Sequence, residues 1–224
     1  MTSQLSSVQM LQCFKMKYIY PPRAENKIAP ESLPTFEEMG KFIAEPKLNG
    51  SSMQIYFSDG AKEIKLMTRH KTVIDCKMDK EELRKLYRGP GEMILCGEYM
   101  NKSKKDEDGK VWNQKYVIWD IIMFRGRHLL GTTFLERYYI LIDLYKAKQN
   151  TVKGGVLQPI TENCYRVAIF FDDLLGLYKR ITKIDMYEGL VLKKKDGKLE
   201  DGYSENNNIK TQIKCRKATK NYIF

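Results

Sequence analysis

Lys47, in Glu45-Pro46-Lys47-Leu48-Asn49-Gly50, is the first residue of this chain whose setting could do chemistry. Alone, a Lys-x-x-Gly turn before a strand also describes an ordinary solvated lysine. Four segments follow it in order: Gly97-Glu98-Tyr99, Tyr116-Val117-Ile118-Trp119-Asp120, Glu188-Gly189-Leu190-Val191 and Ile213-Lys214-Cys215-Arg216. Together they read as walls of a nucleotide pocket around Lys47. An unprotonated lysine amine can attack an α-phosphorus, and nearby cations with partial burial favour that form. Gly50 would let backbone approach a phosphate. Glu98 is an acceptor suited to ribose hydroxyls, and Trp119 offers a flat face to a purine unless it serves as core. Leu190 would press on the other face of the base, or pack as plain strand core.

Glu188 is the best candidate for holding Mg²⁺ or Mn²⁺, since phosphoryl transfer rests on positioning and charge neutralisation. Asp120 stands in an otherwise apolar run. A buried carboxylate needs a partner, and we read it as a second metal-side group. Lys214 and Arg216 alternate with Ile213 and Cys215, so both face one side of a strand, where they would neutralise phosphates. Lys210 is a weaker candidate on the same strand.

The elements that must position these groups follow from patterning. A strand is expected near 14–20, then an extended, proline-rich lead-in. Thr35-Phe36-Glu37-Glu38 has the form of a capping box and predicts a helix ending near Phe42. Strands are predicted over 51–57 and 63–69, joined through Ser58-Asp59-Gly60. Asp79-Lys80-Glu81-Glu82 opens a second helix that stops before Gly89-Pro90-Gly91. Strands follow at 93–100 and 116–124, around a charged loop at 102–110 that lacks EF-hand spacing. Thr133-Phe134-Leu135-Glu136 is another capping box, opening a helix to about Lys148. Its Leu135, Tyr138, Tyr139, Ile142 and Tyr145 recur at helical spacing, as core packing requires. After a loop at 149–155, a helix over 170–181, a strand over 189–194, a mobile polar loop at 195–208 and a strand over 209–215 complete the chain. Strands outnumber helices and hairpins recur, so the expected class is α+β, with antiparallel sheets flanked by helices. No repeat or linker interrupts 1–224, which reads as one domain.

The chain has 224 residues and a net charge of +11, from 39 Lys and Arg against 28 Asp and Glu. That excess favours a polyanionic partner. Five scattered cysteines without a Cys-x-x-Cys pair, and only two histidines, argue against a disulfide framework or a zinc site and suit a reducing compartment such as the cytoplasm. There is no signal-peptide layout, and the longest apolar run is broken by Asp120, so no membrane span is expected.

In this order the motifs resemble the covalent nucleotidyltransferases: ATP-dependent DNA and RNA ligases and mRNA capping guanylyltransferases. The match runs from about Glu45 to Arg216. The resemblance implies a ligase-type adenylation domain in which Lys47 forms a lysyl-AMP phosphoramidate. It also implies that Glu45 helps recognise adenine and that Arg69 contacts phosphate or the end of the nicked strand. Asn49 stands where the family often has aspartate, and Arg216 where it usually has lysine. Glu188 favours a ligase over a capping enzyme, which tends to have aspartate there. The last strand looks like some phage RNA ligases, whereas 116–144 looks more like small DNA ligases, so DNA is slightly preferred. A basic nucleic-acid-binding domain that kept the fold without the chemistry is the other alternative. Most relatives carry an oligonucleotide-binding-fold domain after the last motif; none is evident before Phe224. The expected partners are DNA or RNA ends and nicks, met by a monomer acting in repair or replication. Residues 193–220 hold nine Lys and Arg against four acids. Lys193, Lys194, Lys195 and Lys198 are therefore the expected nucleic-acid contacts.

Overall fold

The computed structural model describes residues 18–146, 155–200 and 208–218. In chain order the elements are β1 (Arg23–Lys27), α1 (Leu33–Glu38), β2 (Phe42–Leu48), β3 (Ser51–Phe57), β4 (Ile64–Thr68) and α2 (Lys80–Arg84). They continue with β5 (Met93–Met100), β6 (Lys104–Lys105), β7 (Val111–Trp112), β8 (Lys115–Phe124), β9 (Arg127–His128) and α3 (Phe134–Leu144). The chain closes with β10 (Leu157–Pro159), β11 (Cys164–Val167), α4 (Leu174–Ile181), β12 (Tyr187–Lys194) and β13 (Asn208–Arg216). One sheet runs β1-β13-β12-β2 and a second β10-β11-β8-β5-β3-β4. Most pairings are antiparallel; β1 with β13 and β11 with β8 are parallel. The mixed α+β class expected from the pattern is what the structure has.

Each sheet buries an apolar face. Leu190, Leu192, Ile213 and Cys215 of the first sheet pack on Leu174, Leu177, Tyr178 and Ile181 of α4. The second sheet packs Ile55, Leu95, Tyr116 and Ile121 against Leu83 of α2 and Leu141 of α3. The capping box at α3 forms: Thr133 and Glu136 each bond the other's backbone N–H. The one expected at Thr35 does not. α1 starts two residues earlier, with Pro34 in its first turn and no side-chain cap, and stops before Gly40 at positive φ. Phe42 already belongs to β2.

Lys47 therefore lies in a strand, not a turn. β2 is an edge strand of its sheet, paired along its length with β12 and bridged to Phe170 on its other side at Ala44, so the missing N–H of Pro46 is tolerated. β1 was also unforeseen; its sequence is polar because it forms the opposite, mostly exposed edge. β10 and β11, left unassigned by the sequence pattern, extend the second sheet. The strand expected at 14–20 lies largely outside the described residues, and the helix expected to reach Lys148 already ends at Leu144, with Tyr145 leaving helical φ/ψ.

Asp120, expected on the metal side, is instead committed to an arginine and does not line the cleft. It is 1% exposed, accepts from Arg137 Nε and Nη2 at 2.8 and 3.0 Å, and also from the backbone N–H of Ile121 at 2.8 Å. Arg137 also donates to the Thr132 carbonyl at 2.7 Å. The pair ties α3 to β8, which explains a carboxylate in an apolar strand. Breaking it leaves an uncompensated buried charge. Asp120→Ala should therefore lose about 3–5 kcal/mol in chemical denaturation, and Asp120→Leu with Arg137→Met should recover most of that.

Candidate active site

The register of the first sheet builds one wall. Lys47 lies opposite Gly189, which lies opposite Arg216; Glu45, Val191 and Lys214 form the next row. Directly opposed residues share a face, so these charges converge on one side and Pro46, Leu190 and Cys215 on the other. Leu190 is fully buried in the core and does not reach the cleft; the apolar side chain of this wall is Val191. Strict alternation would put Glu188 beside Leu190. It escapes because β12 carries one extra residue against β2 between Tyr187 and Gly189, and that residue is Glu188. Gly189 makes the irregularity possible: its φ is +142°, and a Cβ there would lie 2.0 Å from the Cys215 carbonyl oxygen.

The second sheet supplies the facing wall. β8 is also irregular, with Gly97 opposite Ile118 but Cys96 opposite Asp120, so Trp119 is the extra residue and turns into the cleft. Ser52, Arg69 and Glu98 line the same wall. The two walls meet at Asn49-Gly50, where β2 of one sheet passes into β3 of the other. Gly50 donates its N–H to Glu98 at 3.1 Å, and a Cβ there would lie 2.6 Å from the Tyr99 carbonyl oxygen. Packing against β5 thus already requires a glycine here, and the residue also lines the cleft.

The cleft measures about 540 Å³. Lys47 Nζ lies 2.6 Å from Glu188 Oε2, which also meets Arg216 at 3.2 Å. With its amide turned to satisfy both neighbours, Asn49 donates to Glu188 Oε1 at 3.2 Å and accepts from Lys104 at 3.1 Å. An aspartate in its place could not donate to that carboxylate. Lys214 donates to the Ala24 carbonyl at 3.4 Å. Burial, then the charges of Arg23, Arg216, Lys47 and Lys27, pull its ammonium below the usual lysine range, as expected of a cation cluster built for an anion. Burial pushes the Glu98 carboxyl up to about 7, with Glu188 adding to the rise and Lys47, the Gly50 N–H and Arg69 opposing it.

The four lysines expected to grip nucleic acid do not form one surface. Lys193 is 3% exposed, lines the cleft and pairs with Glu45 at 2.6 Å. Its register opposite Gln212, in line with Lys214 and Arg216, forces it inward. Lys195 donates to the Gly40 carbonyl at 2.6 Å and lies over Phe171. Only Lys198 is exposed outright; Lys194 is half-buried beside Asp196. Nor is the start of the loop expected at 195–208 unanchored: Leu199 is buried and exchanges backbone hydrogen bonds with Gly131 and Thr132. Residues 201–207 lie outside the described ones. Lys210 is exposed and does not line the cleft. Sequence reasoning missed Val191 and Gln212, which strand parity from Lys214 could have found, and Pro21, Pro22 and Arg23, for which no signal existed.

No protein-family model and no curated protein sequence matches the chain. Solved structures do. Mycobacterial DNA ligase D, complexed with ATP, superposes with a TM-score of 0.59 at 15% identity over 88% of this chain. The chain spans 60% of that protein's length. The ATP-dependent DNA ligase of bacteriophage T7, also with ATP, gives 0.56 at 15% identity, covering 88% of this chain and 68% of that one. The ligase domain of the Mycobacterium tuberculosis enzyme gives 0.57 at 15% identity, with 87% and 58% covered. At these identities the likeness is one of architecture: the chain shares its fold with ATP-dependent DNA ligases.

Proposed function

We propose that the chain is an ATP-dependent polynucleotide ligase that forms a lysyl-AMP on Lys47 and seals 5′-phosphate to 3′-hydroxyl ends, preferring DNA to RNA. The observation that carries this reading is the register row Lys47–Gly189–Arg216, with the re-aimed Glu188 joining the two cations. Lys47 Nζ attacks the α-phosphorus of ATP, an N–P bond forms, and the bond to the β-phosphate oxygen breaks to release pyrophosphate. The proton leaving Nζ has Glu188 Oε2 as its nearest acceptor. Lys214 and Arg216 neutralise the phosphates; Arg69 faces them from the other wall. Trp119 and Val191 bound the space for the base, Glu98 accepts from the ribose, and Glu45 offers an acceptor to adenine. A 5′-phosphate at a nick then takes the AMP, and attack by the 3′-hydroxyl joins the strands and releases it. The DNA preference is supported by the architecture shared with DNA ligases.

A divalent ion fits the donor set. Glu188 and Glu98 are two mutually repelling carboxylates on facing walls, and Mg²⁺ is characteristically held by one or two carboxylates plus substrate phosphates. Among the described residues no group of three or more His, Cys, Asp or Glu side chains could hold a metal alone, so most ligands would come from nucleotide and water. The ion would supply charge neutralisation at the transferred phosphate.

Sealing of a 5′-phosphorylated nick with ATP and Mg²⁺ should be faster in duplex DNA than in an RNA strand of the same sequence. Lys47→Ala should abolish it with little change in melting temperature, because Lys47 is not a core side chain. Faster RNA sealing would overturn the preference; sealing by Lys47→Ala would overturn the nucleophile.

The nucleic-acid grip reduces to the outward lysines of this region. Lys194→Gln with Lys198→Gln should leave AMP–lysine formation intact and slow sealing. The log–log salt dependence of sealing should become shallower by up to ~2, about one per lost phosphate contact.

A further inference from the structure

The deepest charges of the cleft are not those around Lys47. Glu45 and Lys193 are 2% and 3% exposed and paired at 2.6 Å through Glu45 Oε2. Lys193 has little freedom to leave. Its ammonium donates to the Trp119 carbonyl at 3.3 Å and lies 5.0 Å from the Trp119 ring centroid and 4.3 Å from that of Phe134. The other carboxylate oxygen, Glu45 Oε1, is buried without a hydrogen-bond partner among the described residues. A buried acceptor left unpaired is costly, so a site that keeps one on the wall of a cleft is matched to a donor arriving with the ligand.

We propose that Lys193 is a positioning residue that sets base selection. By occupying Oε2 of Glu45, it holds Oε1 as a bare acceptor that admits a base bearing an exocyclic amine and turns away one bearing a carbonyl at that position. This rests on the reading of the cleft as a nucleotide site. Without its counter-ion, a carboxyl buried this deeply would keep its proton, and a protonated carboxyl can donate to a carbonyl as well as accept from an amine. Lys193 thereby fixes both the orientation of Glu45 and its acceptor-only character.

The groups acting on Glu45 are Lys193 of β12, Asp120 of β8, and Arg137 and Tyr138 of α3. Burial pushes the Glu45 carboxyl up to about 7; Lys193, through charge and hydrogen bond, is the strongest pull the other way. The sign follows: selection against a carbonyl is present where Glu45 is ionised and fades as pH falls through that value. Removing Lys193 moves the fade upward.

The test compares ATP with inosine triphosphate, in which the 6-amine is replaced by a carbonyl, by calorimetric binding from pH 6 to 9 in the wild type and Lys193→Met. AMP or IMP adduct formation is followed separately by intact mass. The wild type should prefer ATP above pH 7 and lose at least about tenfold of that preference by pH 6. Lys193→Met should have lost it at pH 7 and regain it towards pH 9, with gain in inosine nucleotide binding contributing. A preference that is flat with pH in the wild type overturns the proposal, even if Lys193→Met fails to fold. So does a folded Lys193→Met with the wild-type profile. Selective ATP binding that tracks pH but yields no adduct leaves this inference standing and overturns the ligation reading; binding of neither nucleotide overturns both.

Discussion

The cleft depends on two strands, β12 and β8, that each bulge where they line it. A β-bulge places two residues against one and re-aims a side chain that alternation would send elsewhere. On β12 the extra residue is Glu188, brought to the face of Lys47 and Arg216. On β8 it is Trp119, turned towards the first sheet while its neighbour Asp120 is spent on Arg137. Without the first irregularity, Lys47 would have no carboxylate at 2.6 Å. Without the second, the facing wall would lose its aromatic surface. Gly189 tolerates the backbone that the first demands, at a position where any side chain would collide with the neighbouring strand.

The charge arrangement has two layers with different physics. Asp120–Arg137 and Glu45–Lys193 are almost fully buried, so each is held by the penalty for separating it more than by net attraction. They fix where α3, β8 and β12 stand. The outer layer of Lys47, Glu188, Arg216 and Lys214 is partly open to solvent and unbalanced towards the positive. Such a layer gains by accepting a polyanion, which relieves repulsion among the cations. The fold thus spends its paired charges on architecture and keeps its surplus at the mouth of the cleft.

Much of this was legible in the sequence because register preserves it. Lys47, Glu98, Trp119, Glu188, Lys214 and Arg216 all reach one cleft, although they come from five strands spread over most of the chain. Three expectations differ from the structure. Leu190 as a base contact follows from assuming regular alternation through Glu188, Asp120 as a metal-side group from not foreseeing its partner Arg137, and Lys193 as a surface lysine from counting charge without strand parity. A bulge leaves no reliable local mark, so the residue beside it is misassigned. The edge strands were missed for a different reason: Arg23–Lys27 is polar because one side faces solvent, and Phe42–Leu48 contains a proline that only an edge strand permits.

The central claim is that Lys47 is the atom-bearing nucleophile. Its most direct test is to incubate the protein with ATP and Mg²⁺, digest it, and locate any AMP-bearing peptide by tandem mass spectrometry before and after adding pyrophosphate. The account predicts a single AMP on Lys47, removed by pyrophosphate as the N–P bond reverts to ATP. An AMP on another lysine, or none under conditions where ATP binds, would contradict it.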